Sequence, residues 1–250
     1  MSVELKEYEQ VLVGAGWFIP PYVPLAQIIN AAERLKHVDG SERQNILEQT
    51  LKDMYWPERL AAMSLYRYAE TPVLTMYKEI ISESIEAHYL GLDHIAVSGL
   101  LPVIEGAARS LAEQRGIGFK GVRTLFVVLC DDCKQQAQEE RLGTVNEVCS
   151  MMDSFKLFCK QHLYQSSEKY FLEDNTNRHG ILHGSFSDKD YGRPLNFYKC
   201  LAAVEFLCWI SAFKANVSWL LPGTSNQSKA LGAYYQSLEA LAVAKRNIFS

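Results

Sequence analysis

The 250-residue chain predicts an all-α fold, and three observations carry that expectation. Apolar residues recur at helical spacing over most of its length. Turn-forming clusters of Gly, Pro, Asn, Asp and Ser fall between those stretches. The β-rich run at 124–129 has no apparent partner strand. A composition of 48% hydrophobic and 22% charged residues suits a globular chain able to bury a substantial core.

Taken in order, residues 3–13 read as a short helix or strand. Gly14-Ala15-Gly16 then hints at a dinucleotide loop, but Ile19 stands where the third glycine belongs and prolines follow where a helix should run. The segment therefore reads as irregular structure pinning Trp17 and Phe18 into the core. Leu25, Ile28, Ile29, Ala32 and Leu35 predict a helix with Gly40 as its C-cap. Ser41-Glu42-Arg43-Gln44 resembles a capping box opening the next helix, which Trp56-Pro57 breaks, and a short helix follows through Leu60 and Met63.

Thr71-Pro72 starts a long helical region, Gly91 interrupts it, and Asp93 caps a second helix in which Pro102 implies a kink or break at Leu101. The two helices suit an antiparallel hairpin. Residues 115–144 stay open, since 124–129 fits a strand or a buried helix equally well. Helix resumes over about 144–170. Pro194 opens a long apolar helix through Trp209 to about Trp219, and residues 230–244 form a last amphipathic helix. The organisation expected is an N-terminal accessory region (1–70), a helical core (71–222) and a C-terminal helix packing on it (223–250).

A net charge of −4 and a pI near 5.9 exclude a whole-molecule pull toward nucleic acid, so any such contact needs a local patch. The charged first residues give no secretory signal, and no stretch suggests a membrane span, so a cytoplasmic protein is expected. Six cysteines then read as reduced, mostly buried thiols. Cys130 and Cys133 form a lone C-x-x-C without the second pair a zinc site needs. His37, His88, His94 and His162 have no evident convergent partners and read as surface or interface residues.

The stretch richest in chemistry is 175–184, N-T-N-R-H-G-I-L-H-G, which sets Arg178 beside His179 and His183. Arginine is the best fixed-charge partner for phosphate, and histidine titrates near neutral pH. If a helix opens here, His179 and His183 lie one turn apart on one face. Arg178 and His183 lie about 140° apart at roughly 100° per residue and make no neat pair. The helix N-terminus would add backbone donors for a phosphate. Gly180 and Gly184 would let backbone approach something closely. The plain alternative is Arg178 paired with Glu173 or Asp174 in a solvated loop. His179 and His183 lack an evident third ligand, so neither a metal site nor a cofactor is expected.

Arg178-His179-Gly180-Ile181-Leu182-His183 resembles the R-x4-6-H signature of the HEPN superfamily, bacterial stand-alone type, in which a polar residue commonly follows the arginine. H-Y-L-G-L-D-H-I-A-V-S-G-L-L-P-V-I-E-G at 88–106 is similar to the helical hairpin upstream of that signature in bacterial members, and G-W-F-I-P-P at 16–21 to their N-terminal region. The resemblance implies a four-helix up-and-down bundle core and a metal-independent endoribonuclease, a toxin or defence effector. It would act as a homodimer with the site at the interface, and a neutralising antitoxin is a possible partner. By the same resemblance, Arg178 binds the scissile phosphate and His183 handles protons at the 2′-hydroxyl or the leaving oxygen. His179 orients the phosphate or the partner histidine. Asn177 and Asn175 are candidate backbone or ribose contacts, and Glu105 is a candidate polar residue near the cleft. A second reading keeps the fold and the dimer but binds a nucleotide or a protein without cutting.

Overall fold

Helix follows helix through the computed structural model, which describes residues 5–249 and contains no strand among them. The N-terminal region supplies α1 (Lys6–Gly14), α2 (Leu25–Leu35), α3 (Gly40–Met54) and α4 (Pro57–Met63). Between α1 and α2 the irregular segment is buried as expected, with Trp17, Phe18 and Ile19 fully enclosed. The Phe18 ring meets those of Phe155, Phe158 and Phe206 at 5.0, 5.0 and 5.6 Å. Gly40 does not cap α2. It opens α3 with φ +53°, just after Asp39, whose carboxylate takes Arg43 at 2.8 Å.

The hairpin is present as α5 (Lys78–Tyr89) and α6 (Asp93–Gln114). Gly99 lies against Ser84 and Gly106 against Tyr77, so the pairing runs antiparallel. Pro102 does not break α6, which continues through it. The ring sits on an exposed face of the helix, so it takes no core position. Asp93 is the first residue of α6 but does not cap it, because its carboxylate turns to His88 at 2.6 Å. α6 is long and apolar enough to cross a membrane by length and composition alone, contrary to the expectation that no stretch is long enough, but here it packs against α5 and α10.

The open run at 124–129 is helical, inside α7 (Val122–Glu140). Leu125, Phe126, Leu129, Cys130, Cys133 and Ala137 are its buried residues, a helical period that overrides local β-preference. Both cysteines are therefore core residues, and burial pushes the Cys133 thiol up to about 12. α8 (Val145–Phe158) runs antiparallel to α7, tied by Lys134–Asp153 at 2.5 Å and Lys156–Asp131 at 2.7 Å, and ends in a wider turn over Cys159–Leu163.

α9 (Arg178–Leu182) is a single short turn. α10 (Pro194–Ser211) is the central helix, with every residue from Leu195 to Ser211 buried, as expected of a helix apolar on all sides. It stops at Ser211, short of the expected Trp219, which folds back to stack on Phe213 at 4.9 Å. α11 (Asn226–Phe249) is longer at both ends than expected.

The buried apolar residues form one cluster from Leu5 to Leu238, so the N-terminal helices share the core with the rest. Two enclosed ion pairs sit in it. Arg59 of α4 meets Glu205 of α10 at 2.7 Å, and Tyr68 donates to the other Glu205 oxygen at 2.7 Å. Lys199 of α10 meets Asp174 at 3.0 Å. Such pairs need complete hydrogen bonding to offset the desolvation of both charges.

Candidate functional site

The segment carrying Arg178 and His183 is built on that second ion pair. Asp174 is fully buried and receives the Lys199 ammonium, the Thr176 hydroxyl and the Tyr170 hydroxyl, the last at 3.0 Å. Burial alone would raise its carboxyl, but Lys199 and these hydrogen bonds outweigh it and hold the group below the usual carboxylate range. Lys199 also donates to the Ala15 carbonyl and to Gln44, both at 3.2 Å, which ties the segment to the α1–α2 connection. From α10, Asn196 donates to the Asp174 carbonyl at 2.5 Å and to the Thr176 hydroxyl at 2.9 Å.

Asn177 follows as the N-cap of α9. Its side-chain oxygen accepts from Gly180 N–H at 2.9 Å, and its amide donates to the His162 and Gln165 carbonyls at 2.9 and 2.8 Å. It is fully enclosed, so its amide is spent inside the chain and a ligand cannot reach it. Asn175 takes a left-handed φ of 54° and donates to the Asp190 carbonyl at 3.1 Å, bracing the following loop. For Asn177 the expectation of a ligand contact gives way to a capping role, while half-buried Asn175 has its amide on the loop. The expected donation from the α9 N-terminus falls for a related reason: the helix is one turn long, and the Asn177 side chain already occupies Gly180 N–H.

Arg178 lies at the first position of α9. Its Nε donates to Glu105 Oε1 of α6 at 2.6 Å, and its Nη1 meets His183 Nε2 at 3.0 Å. Its counterion is thus Glu105, neither Glu173 nor Asp174. Arg178 and His183 do pair, against the helical-angle expectation, because α9 stops at Leu182. His183 stands at the C-cap with φ −96° and ψ 4°, off the helical path that separates them. The His179 and His183 rings stack as their spacing predicts, 5.6 Å apart and 11° from parallel. His183 is exposed and His179 half-buried. Burial first, then the positive Arg178 and neighbouring His183, lower the His179 pKa and favour its neutral form.

Gly180 has a packing reason. A Cβ there would lie 2.2 Å from the Phe186 ring, whose own N–H returns to the Gly180 carbonyl at 2.9 Å. Gly184, at φ +70°, makes the turn that sends the chain back. Both glycines therefore serve the loop that covers α9.

Two nearby groups escape the sequence reading. Tyr164 is buried with no partner for its hydroxyl, and after burial itself Glu105 is among the charges that push its ionisation up. His162 is no surface residue. It donates Nε2–H to the Val13 carbonyl at 2.8 Å, and burial, with Lys199 beside it, lowers its pKa to about 4. His88 is likewise buried, between Asp93 and the Tyr198 hydroxyl (3.1 Å), and stacks on Phe197 at 4.0 Å. A lysine and a glutamate inside the otherwise apolar P-L-N-F-Y-K-C-L-A-A-V-E-F-L-C-W are the sequence signal for buried partners elsewhere.

Arg178, His183, His179 and Glu105 are thus brought together on one surface, as an arginine flanked by a carboxylate and an imidazole. Chemically the group can hold an anion and exchange a proton beside it. Among the described residues no three of His, Cys, Asp and Glu are placed to hold a metal ion. No family model, curated protein or solved structure matches the chain.

Proposed function

We propose that the protein is a metal-independent endoribonuclease of HEPN type, cutting RNA by attack of its own 2′-hydroxyl. The observation that carries this reading is the 3.0 Å contact between Arg178 Nη1 and His183 Nε2, with Glu105 on the far side of the guanidinium. RNA supplies the nucleophile, so the protein needs a base, an anion stabiliser and an acid. His183 Nε2 takes the 2′-hydroxyl proton as O2′ attacks phosphorus. Arg178 balances the charge growing on the non-bridging oxygens. The 5′-oxygen leaves with a proton from a second imidazole, giving a 2′,3′-cyclic phosphate and a free 5′-hydroxyl. His179 stacks on His183 and orients it.

One protomer exposes only one such group, and a homodimer would bring a second imidazole to the leaving oxygen. Met76 in the turn before α5, Ile80 on α5, and Ile95 and Pro102 on α6 are exposed on the hairpin, and Glu105 lies one turn beyond Pro102. Those exposed apolar side chains, on the helix that carries Glu105 and on its neighbour, support a second copy seated there. The activity fits a toxin or defence effector held in check by an antitoxin.

The test is cleavage of an RNA panel in excess EDTA by the wild type, Arg178→Ala and His183→Ala. Cutting that yields cyclic-phosphate ends and vanishes in both variants is the expected result. A dimeric wild type that leaves every RNA intact would replace the nuclease by the binding reading.

A further inference from the structure

A guanidinium only donates hydrogen bonds. The 3.0 Å contact from Arg178 Nη1 therefore requires His183 Nε2 to accept, with its lone pair free of a proton and its ring hydrogen on Nδ1. The same lone pair is the one a base must present to a ribose hydroxyl. In the free protein it is occupied, not by a substrate but by the arginine next to it.

Glu105 decides which part of the arginine remains. It grips Nε at 2.6 Å from a 22-residue helix, while Arg178 belongs to the short α9. With Nε held by Glu105, the outer Nη1/Nη2 edge is what an incoming oxyanion meets, and His183 Nε2 sits on the Nη1 that forms half of that edge. The bond to imidazole already has an ionised donor, but an oxyanion adds the opposite charge and can accept two parallel N–H···O bonds from one guanidinium edge, where imidazole accepts one. Phosphate therefore competes with His183 for the guanidinium through charge and a second bond.

We propose that Arg178 masks the His183 base in the free protein, and that a phosphate taking the outer guanidinium edge unmasks it, with Glu105 as the positioning residue that reserves that edge. The base is then ready only when an anion is in place beside it. What the freed nitrogen goes on to do rests on the ribonuclease reading above; the exchange itself does not. The charged and titratable groups facing His183 are Arg178 and His179 on its own segment and Glu105 from α6.

Histidine side-chain 15N NMR of the intact protein, titrated with inorganic phosphate, tests this. Wild-type His183 is expected to show an unprotonated Nε2 that shifts as phosphate saturates the site. In Arg178→Gln the Nε2 signal should start at the unmasked position and ignore phosphate. Glu105→Ala should weaken phosphate binding several-fold, and Glu105→Gln, which still accepts from Nε, should restore most of it. A protonated Nε2 in the free wild type, no response to phosphate, or tighter phosphate binding in both Glu105 variants would overturn the proposal. Masking without RNA cleavage would defeat the nuclease reading alone. Cleavage with an unresponsive His183 would defeat this one alone.

Discussion

Asp174, four residues before Arg178 in sequence, meets Lys199 at 3.0 Å with neither side chain exposed. The ion pair is thus a foundation for the site as well as for the core. Asp174→Asn leaves the Lys199 ammonium enclosed without its counter-charge and should cost about 3–5 kcal/mol in urea unfolding. Asp174→Asn combined with Lys199→Met should recover a large part of that loss, because the stranded charge is gone. A single variant within 1 kcal/mol of wild type, taken as about the worth of a surface pair, would remove the pair from this role.

His162 makes stability depend on pH in a definite window. Its folded-state pKa is lowered from 6.5 to about 4, so between those values the unfolded chain binds a proton that the folded chain refuses. Its contribution is complete above about pH 6.5 and is lost as pH falls toward 4, up to about 3 kcal/mol in all. Asp174, also lowered, acts in a more acidic range, starting below the ordinary aspartate value. His162→Gln keeps a donor for the Val13 carbonyl and should flatten the slope of unfolding free energy against pH across the histidine window. An unchanged slope would assign the acid response to other groups.

Gly180→Ala places a methyl group 2.2 Å from the Phe186 ring. The ring and its loop must move, at about 1–3 kcal/mol as for other overpacked sites. Gly180→Ala with Phe186→Ala should regain part of that stability in thermal melts. If the double variant is no better than the sum of the two single ones, the contact is not the cause.

Ile95 is 65% exposed on α6 and Ile80 40% exposed on α5. Ile95→Glu should leave the melting temperature close to wild type, since no core contact is lost, but should shift a dimer toward monomer in sedimentation velocity. Dimerisation untouched by both Ile95→Glu and Ile80→Glu would place the contact between copies on another face.

The helices were legible where one face is apolar and the other wet, as in α2, α3 and α5. α7 was ambiguous because residues 124–129 are β-branched or bulky, and the sequence alone does not show that their environment is another helix. The chemistry was legible as far as Arg178, His179 and His183 are neighbours in the chain. Glu105 is 73 residues from Arg178 in sequence, and only packing of α6 on α9 brings it to the guanidinium. The pairing of Arg178 with His183 depends on where α9 ends, a matter of φ and ψ at one residue that helical spacing does not encode. Asn175 and Asn177 looked like ligand contacts because amides serve both purposes. Their turn and cap roles follow from backbone position.

Arg59 and Gln44 reach into the centre of the protein to meet Glu205 and Lys199. The first four helices are therefore not a leader that can be exchanged or trimmed like a cassette. A chain starting at residue 71 would present α10 with a bare glutamate and a half-satisfied lysine on what had been its inner surface, and such a fragment should aggregate before it catalyses anything. Diversification in this protein is accordingly free on the solvent side of α11, while the first four helices and α10 are bound to change together.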